Sequence, residues 1–179
     1  MQSINQAIVI IGRICSGKST LANAISSQLQ IPIASFGGFL VNYCKRHNIK
    51  IEHRDVLQNL GNTFIQKEPS KFLLDVIEFS VGNSNRIIFE GVRHKIILLE
   101  IQKMSKSIFS IFVDVETQER YKRMVRRAKD SDEVKNFDEF LKLDNHIVEK
   151  EIELLKPSAD LIIGSDYDFE HVIKSLRFL

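Results

Sequence analysis

Ala7-Ile8-Val9-Ile10-Ile11 runs directly into Gly12-Arg13-Ile14-Cys15-Ser16-Gly17-Lys18-Ser19-Thr20. The first five residues form an apolar, β-branched run, the composition of a strand buried on both faces. The next nine match G-x-x-x-x-G-K-S/T, and Lys18–Leu29 continues with small and apolar residues at helical spacing. Strand, glycine-rich turn and helix in that order make a cradle for phosphate. Gly12 and Gly17 allow turns that a Cβ would block, so successive N–H groups converge on phosphate oxygens. The helix beginning near Lys18 adds its positive end. In this motif the lysine ammonium reaches the outer phosphates and the hydroxyl at Ser19 ligates Mg2+. The pattern arises by chance in under about 1% of chains of this size. The rival reading is a glycine-rich turn with an incidental lysine. Gly12 to Thr20 are therefore expected to hold ATP with Mg2+.

Four more strand-length runs lie downstream, at Ile31–Ala34, Arg86–Glu90, Ile108–Val113 and Asp160–Ile163. Helix-like stretches separate them: Ile96–Met104, Gln118–Lys129 and Phe137–Leu155, the last ended by Lys156-Pro157, with Phe169–Leu176 closing the chain. Such alternation predicts an α/β fold, a parallel sheet covered on both faces by right-handed crossovers. No repeat, low-complexity tract or linker divides residues 1–179, which read as a single domain. Phe36–Gly82 is long and mostly helical, an insertion able to wall a second binding site. Residues 120–140 read as a short lid, with Asp130–Asn136 a charged, mobile loop.

The composition is that of a soluble globular protein, with 44% hydrophobic and 27% charged residues. A net charge of +2 speaks against a nucleic-acid binder. Cys15 and Cys44, with no secretory pattern in Met1 to Gln6, point to a reduced, cytoplasmic setting. No apolar run approaches the roughly 20 residues that cross a bilayer.

The phosphate loop alone does not separate a kinase from a GTPase, a motor or a regulatory ATPase. Other residues bear on that choice. Glu90 ends the run Ile87-Ile88-Phe89-Glu90, where a carboxylate beside the phosphate-loop strand can hold Mg2+ through its water shell. Gly91 lets the chain turn, releasing Arg93 towards the crevice; the plainer readings are a strand-end carboxylate and a surface arginine. Arg120, Arg123 and Arg127 share a helix face and either meet anions or form a solvated basic stripe offset by Glu116 and Glu119. Arg54 and Gln58, one helical turn apart, present a fork and an amide to a second substrate or belong to an ordinary amphipathic helix.

Together these residues resemble the P-loop small-molecule kinases, most closely the nucleoside monophosphate kinase group that includes adenylate kinase. Dephospho-CoA kinase is similar at a greater distance. Glu90-Gly91-Val92-Arg93 looks like the family's D-G-F/Y-P-R segment, and Arg123-Met124-Val125-Arg126-Arg127 looks like its R-I/L-x-x-R. Ser158–Asp166 is similar to its last strand and following loop. The resemblance implies a three-layer P-loop NTPase fold with five parallel strands in the order 2-3-1-4-5. It assigns catalytic roles to Lys18, Arg93 and Arg127, nucleotide packing to Arg123, metal binding to Ser19 and Glu90, and acceptor binding to Arg93. The family's S-T-G-D-x-x-R is replaced by Ser35-Phe36-Gly37-Gly38-Phe39-Leu40-Val41. Ser35 remains and Gly38 and Val41 replace the aspartate and arginine; of Arg54, Lys45 and Arg46, Arg54 is the substitute expected to bind acceptor, with Ser35 and Gln58 beside it. No aspartate ends strand two, and no cysteine cluster marks a zinc-type lid.

The expected activity is transfer of the γ-phosphoryl of ATP to a small anionic acceptor such as a nucleotide. Two rivals remain open: a nucleotide-dependent switch or regulatory ATPase, and a hydroxyl kinase acting on a metabolite or nucleic-acid end.

Overall fold

The computed structural model describes residues 3–82, 84–127 and 136–176, with Arg54 described by its backbone alone. Strand β1 (Ile4–Ile11) is central, pairing in parallel with β3 (Arg86–Glu90) and β4 (Ser105–Val113). The short strands β2 (Ile33–Ser35) and β5 (Leu161–Ile163) complete the order β2-β3-β1-β4-β5. This is the expected five-stranded sheet of the P-loop NTPase fold, with helices around it.

Alternation along β1 explains its unbroken apolar run, because both faces are covered. Ala7, Val9 and Ile11 face one core, built with helices α2 (Phe36–Arg46), α4 (Pro69–Val81), α5 (Lys95–Met104) and α8 (Ile147–Glu153). Ile8 and Ile10 face the other, shared with α1 (Lys18–Leu29) and α9 (Phe169–Leu176). The segment between β2 and β3 is three helices, α2, α3 (Arg54–Lys67) and α4. An aromatic cluster joins them, with Phe64 stacked on Phe72 and Phe39 edge-on to both. No helix among the described residues is long and apolar enough to cross a membrane.

Most boundaries fall where the sequence puts them; α1, α9 and β3 match to the residue. Strand β1 starts at Ile4 rather than Ala7 and β4 at Ser105 rather than Ile108. Their polar starts are carried into strand by pairing such as Ile4 with Ser105. Strand β2 is Ile33–Ser35 instead of Ile31–Ala34, because Pro32 has no N–H to give. Helix α6 spans Thr117–Arg127, and residues 128–135, which hold the end of the expected helix and most of the expected loop, lie outside the described residues.

One expectation fails. Phe137–Leu155 is not a single helix but α7 (Phe137–Asp144) and α8, broken at Asn145-His146. Asp144 and Glu149 are both buried, at 3% and 0% exposure. Five residues apart on one helix, they would point about 140° away from each other. The break lets both face the underside of the phosphate loop, where their arginine partners lie.

Candidate active site

The phosphate loop joins β1 to α1. Gly12 has φ +153° and Gly17 φ +103°, and a Cβ on Gly12 would lie 2.7 Å from both Ser16 Oγ and the Val113 carbonyl. Cys15 also takes a left-handed conformation, φ 58°. Helix α1 has no acidic residue in its first turn, so its positive end is left for an anion. Lys18 is buried and its Nζ donates to the Arg13 carbonyl at 2.6 Å, folded over the loop.

The strand ends supply the next shell. Glu90 is in register with Ile10 of β1 and Ser35 of β2, so the pairing sets its side chain among those of the loop. Ser19 Oγ donates to Glu90 Oε1 at 3.1 Å, and Ser35 Oγ donates to Glu90 Oε2 at 2.9 Å. Ser19 and Glu90 are hard oxygen donors at adjacent positions, a set that suits Mg2+ completed by phosphate and water. Among the described residues no cluster of three or more His, Cys, Asp or Glu could hold a metal alone.

Ser35 has a second task, because its Oγ also accepts the Gly38 N–H at 3.1 Å and caps α2. A Cβ at Gly38 would come within 3.3 Å of that hydroxyl. A side chain at this position would have to fit closely against Ser35.

Beneath the loop lies a network that local sequence patterns do not reveal. Glu149 Oε2 accepts the Ile14 N–H at 2.9 Å, while its Oε1 takes a hydrogen bond from Arg93 Nη1 and lies 3.4 Å from Gln58 Nε2. Burial alone would raise the Glu149 carboxyl. The charges of Arg93 and Lys18, with hydrogen bonds from Arg93 and Ile14, outweigh that and hold it below the usual carboxylate range. Arg120, 1% exposed, pairs with both oxygens of Asp144, donates through Nε to the Val115 carbonyl and lies over Phe140. Arg13 also turns inward, 3.2 Å from Asp144 Oδ2.

The expected arginine stripe is thus divided. Arg120 is a buried strut, whereas Arg123 and Arg127 face open space. Arg123 bonds to the Ser16 carbonyl at 2.9 Å and to Glu119 at 3.3 Å. With Arg126, Arg127, Gly164, Ser165 and Tyr167 it lines a cavity of about 340 Å³ on the β5 side of the loop. A larger cleft of about 420 Å³ opens on the other side, between the phosphate loop and the helical insertion. Lys18, Ser19, Ser35, Gln58, Glu90, Arg93 and Arg127 all border it, as do Gly38 and Val41. Gly17 and Arg127 border both spaces.

The Arg54 side chain lies outside the described residues. His94, absent from the sequence reading, borders the larger cleft with Nδ1 2.6 Å from Glu151 Oε2. Asp144 and Glu149 carried a faint signal in the sequence, as carboxylates set among Phe140, Val148 and Ile152 in a helical pattern.

A family model described as an AAA domain matches residues 8–151. None of the curated proteins matches the chain significantly in sequence. Among solved structures, shikimate kinase from Bacteroides thetaiotaomicron is similar at 18% identity and TM-score 0.61, covering 96% of each chain. Deoxyadenosine kinase from M. mycoides with bound dCTP is similar at 16% identity and TM-score 0.55, covering 97% of this chain and 100% of that one. A gluconokinase from Sinorhizobium meliloti is similar at 10% identity and TM-score 0.58, covering 96% and 89%. At these identities the likeness is one of fold.

Proposed function

The chain belongs to the AAA domain family, and from that premise we propose that it is a phosphotransferase moving the γ-phosphoryl of ATP to a small anionic acceptor, such as a nucleotide. The observation that carries this reading is the pair of cavities meeting at Gly17 and Arg127. A switch or simple ATPase needs one nucleotide site; a transferase needs two that share the phosphate loop. The smaller space, with Arg123, Ser165 and Tyr167 at its wall, takes the donor nucleotide. The larger cleft takes the acceptor. Kinase activity in the similar folds supports the same reading as analogy.

In this proposal the chain mainly positions and neutralises charge. Lys18 leaves the Arg13 carbonyl for the outer phosphates, and the N-terminal amides of α1 bind the rest. Ser19 and Glu90 would hold Mg2+, which would offset phosphate charge when bound. Arg127, at the junction, faces the migrating phosphoryl. Arg93 keeps Nη1 on Glu149 and offers its remaining N–H groups to the acceptor's anion. A phosphate oxygen is already ionised at neutral pH, so such an acceptor needs no general base.

A second reading rests on His94. Its Nδ1 contact with Glu151 orients the ring in the acceptor cleft, an arrangement suited to a base for a hydroxyl acceptor. An ADP-release assay with monophosphates and hydroxyl metabolites as acceptors separates the readings. ADP release stimulated by a monophosphate supports the first, and stimulation by hydroxyl compounds alone supports the second. Hydrolysis indifferent to every acceptor removes both. Lys18→Ala should lower the stimulated rate about 100-fold or more with unchanged circular dichroism. A near-normal rate takes the loop out of the reaction.

A further inference from the structure

Gln58 sits on α3 at the edge of the acceptor cleft and is 7% exposed. Its Nε2 lies 3.4 Å from Glu149 Oε1. Glu149, held ionised by Arg93 and the Ile14 N–H, is an acceptor only. An amide beside it must turn its NH2 towards the carboxylate, because the opposite flip sets oxygen against oxygen. The flip is therefore decided by chemistry. It leaves Gln58 Oε1, a buried carbonyl oxygen with no hydrogen-bond donor among the described residues. Such an atom weakens the fold unless something outside the chain satisfies it. The wall of the cleft combines the apolar Leu57, Ile65, Phe72 and Ile97 with the polar Asn62 and His94, and Arg93 reaches the same Glu149 oxygen as the amide.

Resting on the acceptor site proposed above, we propose that Gln58 Oε1 accepts a hydrogen bond from an N–H or O–H that the acceptor carries near its anionic group. Glu149 is the positioning residue that fixes both the amide and Arg93. The acceptor is then an anion that also carries a neutral N–H or O–H donor, a combination a nucleoside monophosphate offers. The donor comes from either the sugar hydroxyl or the base.

Gln58→Leu keeps the side chain's bulk and deletes the amide. Binding of ribo- and 2′-deoxyribonucleoside monophosphates and of ribose 5-phosphate is measured by calorimetry in wild type and variant, with thermal unfolding of each ligand-free protein. The wild type should discriminate within this panel. In the variant, affinity for the preferred ligand should fall about tenfold or more and the ranking should flatten. Loss of the ribo-over-deoxy preference identifies the sugar hydroxyl as the donor, and loss of the preference among bases identifies the base. Ligand-free Tm should hold or rise, since an unsatisfied polar atom has been removed. A lower Tm with unchanged ranking makes Gln58 purely structural and overturns the proposal. So does a panel in which nothing binds the wild type. The ADP-release assay on the same ligands keeps the two ideas apart. Binding that depends on Gln58 without transfer ends the kinase reading only, whereas transfer indifferent to Gln58 ends this one only.

Discussion

Two groups of arginines surround the phosphate loop, and the fold treats them oppositely. Arg13, Arg93 and Arg120 each meet a carboxylate of the α7–α8 pair, Asp144 or Glu149. Arg126 and Arg127 make no ion pair among the described residues and border the smaller cavity, with Arg123 beside them on the Ser16 carbonyl. Arg120 and Arg127 lie on one helix, yet the first is buried on Asp144 and the second borders both cavities. Which arginines are held in place is thus decided by where the buried carboxylates lie. Arg13 and Arg120 are held beneath the loop, Arg93 is paired and still borders the larger cleft, and Arg126 and Arg127 stay exposed.

The strongest way to break this comparison is to remove a shared carboxylate. Asp144→Ala strands the buried Arg120 and should cost about 3–5 kcal/mol in urea unfolding at neutral pH. Arg127→Ala should change stability by less than about 0.5 kcal/mol while slowing phosphoryl transfer. Similar stability losses in the two variants would erase the distinction between strut and ligand-facing arginine.

A subtler effect follows from Glu149, whose carboxyl is held below the ordinary glutamate range in the folded protein. A depressed acid contributes stability that is fully present above its unfolded pKa, about 4.3, and is lost as pH falls through the lower folded value. Wild type should therefore exceed Glu149→Gln in Tm near pH 7 by a margin that is constant down to about pH 5. The margin should shrink with further acidification. A gap independent of pH down to the acid limit would mean that Glu149 acts through shape rather than charge.

The phosphate loop and its flanking strand and helix were legible in the sequence because their signals are local. Strand, glycines, lysine and hydroxyl follow one another along the chain, and Glu90 is placed by strand order. The underside of the loop was not legible, because its partners are far apart in the chain. Ile14 and Glu149 are 135 residues apart, and Arg93 and Glu149 are 56 apart. Helical spacing grouped Arg120 with Arg123 and Arg127, and nothing nearby announced that Asp144 would claim the first. The same spacing ran one helix through Asn145-His146, where tertiary ion pairs required two. Gln58 was visible as a polar residue one turn from Arg54, but its lone carbonyl oxygen depends on Glu149.

The contact between Glu149 and the Ile14 N–H also bears on how the loop exchanges its protons with solvent. An amide bonded to a fully buried carboxylate is closed before any nucleotide arrives, so its deuterium uptake should already be slow in the ligand-free protein. Nucleotide should then slow exchange at Gly17 and Lys18 and leave Ile14 almost unchanged. A loop held in this way enters its complex with part of its ordering complete, and association loses correspondingly less entropy.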